Sequence, residues 1–82
     1  MSRREDTTRL RHMLDHAVEA VEMAKGHDRD DLDSNRQLNL SLTRLLEIVG
    51  EAAARVTPET RDSMPGLPWQ EVVGLRNRLI HG

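Results

Sequence analysis

The side chains available to build a core decide the fold class of this chain. Trp69 is its only aromatic residue, Phe and Tyr are absent, and the apolar positions are filled by Leu, Val, Ile, Ala and Met. Sheets draw on aromatic and β-branched residues for their half-buried, pleated surfaces. Leu, Ala and Met, with the Glu and Arg that surround them here, are helix formers. The expected fold is therefore all-α. Cysteine is also absent, so no disulfide can staple the fold, which fits a reducing compartment such as the cytoplasm. A length of 82 residues allows one domain, spanning 1–82. A domain of that size buries only about 60% of its unfolded surface. Small cores usually need help from a metal, a partner or self-association.

Apolar spacing sets out the helices. Leu10, Met13, Leu14, Ala17, Val21 and Ala24 recur at three- and four-residue steps and predict a helix over 8–25, capped by Asp6 or Thr7 and ended by Gly26. The polar segment 26–33 is expected to be a loop. A second helix is expected over 34–56, capped by Asp33, with the stripe Leu38, Leu42, Leu45, Val49, Ala52, Ala53 and Val56. Leu40 and Ile48 lie off that stripe. A helix apolar on more than one side touches more than one neighbour, so this one is expected at the centre of a bundle or against a second chain. Thr57-Pro58-Glu59 combines a cap, a first-turn proline and a first-turn acid and predicts a short helical turn to Ser63. Pro68 opens a last helix to Ile80. The expected architecture is a helical bundle of two long helices plus a shorter third, completed by dimerisation.

Charge and composition exclude several roles. The formal net charge is −2 with both signs intermixed, so no global field attracts nucleic acid. Any such contact needs a local basic patch. No apolar run is long enough to span a bilayer, and no secretion signal is legible at the N-terminus.

The last helix carries the chemistry. At about 100° per residue, Trp69, Val72, Val73, Leu79 and Ile80 define an apolar arc with Arg76 near its middle. Arg78 falls roughly opposite. An arginine in an apolar stripe needs a partner, because its charge is costly to bury alone. One reading is an ion pair with Glu47 or Glu51, or a guanidinium that snorkels past the packed surface. The other is a phosphate-binding guanidinium at an interface. His81 favours the second: it sits at a helix C-terminus, whose dipole favours the imidazolium, and a histidine beside a fixed arginine suits acid–base work on a phosphodiester. Asn77, four residues before it, can orient the imidazole.

Arg76-Asn77-Arg78-Leu79-Ile80-His81 resembles the Arg-(four to six residues)-His signature of the HEPN superfamily. The segments Leu46-Glu47-Ile48-Val49-Gly50-Glu51-Ala52-Ala53, Pro68-Trp69 and Val73-Gly74-Leu75-Arg76-Asn77 resemble its HepT-like branch. The resemblance implies a helical homodimer that joins two Arg–His motifs in one cleft. It implies a toxin that cleaves RNA without a metal or other cofactor, and a nucleotidyltransferase antitoxin partner resembling MntA. Arg76 would stabilise the phosphorane, His81 would be acid or base, and Asn77 would support. Family members usually continue past the motif with Gly-Tyr and a further long helix, and the antitoxin adenylylates that tyrosine in related systems. This sequence ends at Gly82 and holds no tyrosine. The expectation is a C-terminally truncated HEPN-like domain that this modification cannot control. The alternative is a catalytically inactive helical module that dimerises or binds a nucleotidyltransferase.

Other signals are weaker. His12 and His16 have zinc-compatible spacing but no evident third ligand. His27 with Asp28, Asp30, Asp31 and Asp33 lacks the glycine and terminal glutamate of a calcium loop. Glu51 is expected to pair with Arg44, Arg55 or Arg76. Arg3, Arg4, Arg9 and Arg11 could touch RNA phosphates, although such a set is more often a solvated terminus.

Overall fold

A computed structural model describes the backbone of residues 3–81 and the side chains of residues 4–75. Its order is α1 (Arg3–Ala24), α2 (Arg29–Ser34), α3 (Arg36–Ala54), α4 (Pro58–Asp62) and α5 (Trp69–His81), with no strand among the described residues. The fold is all-α, as composition requires. α3 is the central helix, packed against α1, α5 and α2. Asp6, near the start of α1, bonds Thr57 just past the end of α3, so α1 and α3 run antiparallel.

The helix ends show where local chemistry overrides spacing. α1 starts at Arg3 rather than at Thr8. Asp6 does not cap it: Glu5 and Asp6 lie in its first turn, where acids complement the helix dipole. Gly26 ends it at φ 77°, a left-handed conformation that glycine adopts without steric cost. Most of the expected loop over 26–33 is taken up by the helix α2, which runs on to Ser34, the expected start of the next helix. Asp28 and Asp31 form a capping box there: the Asp31 amide donates to Asp28 Oδ1 at 3.0 Å and the Asp28 amide to Asp31 Oδ2 at 3.0 Å. Asn35 rather than Asp33 caps α3, accepting from the Leu38 amide at 3.0 Å. Thr57 caps α4, with Pro58 in its first turn.

The core follows α3. Leu38, Leu45, Val49, Ala52, Ala53 and Val56 are buried, as the stripe requires, while Leu42 is half-buried. Gly50 is buried too. On α1 only part of the apolar stripe faces inward: Leu10, Met13 and Ala17 are half-buried, and Asp6 joins them on that side. Asp6 and Ala20 are buried, whereas Leu14 and Val21 are 63% and 61% exposed. Asp6 is held inward by Thr57 and Thr60. Asp6, Met13 and Ala20, seven residues apart, lie on the covered side of the helix with Leu10 and Ala17.

Candidate functional site

α5 carries the motif. Pro68 precedes it and its carbonyl accepts the Val72 amide at 3.0 Å. Glu71 lies in the first turn. The backbone is helical through His81, so Arg76, Asn77 and His81 ride on one helix, and Asn77 and His81 are about one turn apart. Their side chains lie outside the described residues, as do those of Arg78, Leu79 and Ile80. Of the expected apolar arc, Trp69, Val72 and Val73 are half-buried.

Two side chains fix the start of this helix, and sequence reasoning singled out neither of these roles. Arg61, in the last turn of α4, donates from Nε to the Val56 carbonyl at 3.1 Å. Its Nη2 donates to the carbonyls of Ala53 at 3.1 Å and Ala54 at 2.9 Å. The last carbonyls of a helix lack partners within it, and Arg61 supplies them for α3. Its guanidinium also stands 5.9 Å from the centre of the Trp69 ring, in the range of a cation–π contact. The Trp69 indole N–H donates to the Met64 carbonyl at 3.0 Å. The first turn of α5 is thereby tied to the end of α3, and α5, packed on α3, runs back along it.

Asp6 extends this tie to α1. Only 3% exposed, it accepts from the Thr57 amide at 3.2 Å and from the Thr57 and Thr60 hydroxyls at 2.5 Å each. The Thr57 hydroxyl, then that of Thr60, holds the Asp6 carboxyl below its ordinary value, against the opposing effect of burial. The capping signature at Thr57-Pro58-Glu59 was legible, but a partner 51 residues away along the chain leaves no local mark.

The remaining candidates resolve individually. Arg4, Arg9 and His12 of α1 and Ile48, Glu51 and Arg55 of α3 line an open groove of about 410 Å³. Arg9 turns back on Glu5, donating to its carbonyl at 3.3 Å and lying 4.0 Å from its carboxylate. Arg11 is exposed. Glu51 lies 3.7 Å from Arg44, which also reaches Glu47 at 3.4 Å. His16 Nδ1 is 2.7 Å from the His12 carbonyl and the two rings meet edge to face, so the pair does not converge on one point. His27 pairs with Asp31 at 3.2 Å. Among the described residues no three His, Asp or Glu side chains group as metal ligands, and no helix is long and apolar enough to cross a membrane.

The chain is thus an all-α protein built on a central helix, with an Arg–His motif on its last helix. A family model described as "Ribonuclease HepT-like" matches residues 13–82, and the chain belongs to the HepT-like ribonuclease family. "Putative RNase MJ1380" of Methanocaldococcus jannaschii is 37% identical over 81 residues, covering 99% of this chain and 74% of that protein. "Putative RNase TTE0752" of Caldanaerobacter subterraneus is 35% identical over 72 residues, 88% of this chain and 64% of that one. "Probable ribonuclease HepT" of Thermococcus cleftensis is 29% identical over 72 residues, 83% and 66% of the two chains. The chain thus spans about two thirds to three quarters of the length of these relatives. No solved structure is a significant match.

Proposed function

We propose that this chain is the toxin of a toxin–antitoxin pair, a metal-independent endoribonuclease acting through the Arg-x4-His motif of α5. The observation that carries the reading is the ribonuclease family match, which runs through Arg76, Asn77 and His81. In the reaction, the 2′-hydroxyl of the RNA attacks the adjacent phosphorus. The P–O bond to the 5′-oxygen breaks, leaving a 2′,3′-cyclic phosphate and a 5′-hydroxyl end. His81 takes or returns the proton, Asn77 orients its imidazole, and Arg76 meets the charge that builds on the phosphorane oxygens. No metal or cofactor is required, because the nucleophile belongs to the substrate. Two copies place two motifs in one cleft, and an MntA-like nucleotidyltransferase is the antitoxin partner. The setting is the cytoplasm.

The test is RNA cleavage by the unmodified chain and by Arg76→Ala, His81→Ala and Arg78→Ala, with folding followed by circular dichroism. Losing a preorganised charge-stabilising group costs about a hundredfold or more. Losing the acid–base group costs about a hundred- to ten-thousandfold. Arg78→Ala is expected to weaken only a salt-dependent RNA contact. EDTA leaves the rate unchanged, and a 2′-deoxy substitution at the cleaved position abolishes it. A folded Arg76→Ala chain that cleaves at the parent rate overturns the assignment. If the parent chain cleaves nothing yet binds the nucleotidyltransferase, it is an inactive interaction module instead.

A further inference from the structure

Arg61 stands where the end of α3, the helix α4 and the start of α5 meet. The Ala53 and Ala54 carbonyls at the end of α3 and the Val56 carbonyl just past it accept its N–H groups, and the Trp69 ring lies against its guanidinium. Among the described residues it makes no ion pair with a carboxylate. Carbonyl oxygens and an aromatic face therefore hold this charge. A planar guanidinium can bond several carbonyls through its edge and present its face to a ring; an ammonium cannot do both. A simple helix cap has no need of that second contact.

We propose that Arg61 is a positioning residue: it fixes the first turn of α5 on the end of α3, and through it the placement at which Arg76 and His81 meet the RNA. The catalytic half of this inference rests on the ribonuclease reading above; the placement half does not. Misplacing a catalytic group by about 1 Å can cost about a hundredfold in rate, so the clamp acts on turnover without touching substrate.

The absence of cysteine makes the placement measurable. Cysteines introduced at Gln37 on α3 and Glu71 on α5, both exposed positions, carry spin labels whose distance distribution reports how firmly α5 is seated. In the parent the distribution is narrow. Arg61→Lys keeps the charge and the helical circular dichroism but broadens the distribution. In the unlabelled chain it lowers kcat about a hundredfold, at a KM within about twofold of the parent value. If Arg61→Lys does not fold, Trp69→Leu, which removes the ring and leaves the three carbonyl bonds, takes its place in both measurements. A distribution as narrow as the parent's overturns the proposal, and so does a broadened one with parent turnover. If the parent chain cleaves no RNA, the ribonuclease reading falls and the distances alone decide what Arg61 does.

Discussion

Asp6 shows what a single residue can settle that its neighbours in sequence do not announce. It stands beside Glu5 in a charged N-terminal segment and has the local marks of a cap. It serves instead as a buried acceptor for Thr57 and Thr60 across the fold, while an ordinary threonine cap starts α4 beside it. The consequence is a pH dependence of known sign. Its folded-state carboxyl is held below the ordinary 3.8, first by the Thr57 hydroxyl and then by that of Thr60. The ionised form is therefore favoured by folding. The stabilisation is complete above the unfolded value and is lost as pH falls through the folded one. Thermal melts of the parent and of Asp6→Asn are expected to differ most above the unfolded value and to converge as pH falls through the lower folded one. A difference that persists or grows in acid means that the ionised carboxylate is not the stabilising species.

Element by element, legibility followed the range of the interaction. The α3 stripe was readable because the alternation of Leu, Val and Ala along one helix is itself the packing surface. Leu38, Leu45, Val49, Ala52, Ala53 and Val56 are buried as read. The motif on α5 was likewise readable as residues in order, and the backbone keeps it helical to His81. The face of α1 was readable only in part: Leu10, Met13 and Ala17 of its stripe are half-buried, while Leu14, Val21 and Ala24 are exposed and Asp6 is held inward by Thr57 and Thr60. The α2 helix was missed because a run of aspartates reads as loop until two of them close a capping box. The α3 cap was missed by two residues for a related reason: Asp33 and Asn35 are chemically equivalent caps, and only Asn35 has the Leu38 amide within reach. Replacing a side-chain cap by Ala costs about 0.5–2 kcal/mol. Asn35→Ala is expected to lower the free energy of urea unfolding by that amount. Asp33→Ala, at an exposed position of α2, stays within about 0.5 kcal/mol. Equal losses from both would return the cap to Asp33.

At the scale of the whole molecule, one central helix holds the fold together. The radius of gyration is 13.8 Å and the principal extents are 42 × 24 × 20 Å, an elongated body with few residues far from the surface. Leu14, Val18 and Val21 form an exposed ridge along α1, and Leu40 is 55% exposed on α3. Leu14 and Val21 are the part of the α1 stripe that faces water, and Val18 lies between them. An apolar helix face of this kind is stable when something covers it, and the homodimer proposed for the active cleft is the occupant expected here. A stable interface removes about 800 Å² per partner from water, more than four side chains supply, so the contact must extend beyond the ridge. Folding and association are then coupled. Anything that binds only the native chain raises its stability with concentration, so the melting temperature is expected to climb as protein concentration increases. Sedimentation is expected to show the dimer at micromolar concentration. Leu14→Gln with Val18→Gln shifts sedimentation toward the monomer and flattens the concentration dependence. Because both side chains already face water in the single chain, the helical circular dichroism stays that of the parent. A parent chain that sediments as a folded monomer at micromolar concentration, with a melting temperature indifferent to dilution, removes the dimer and with it the two-motif cleft, leaving each α5 to act alone.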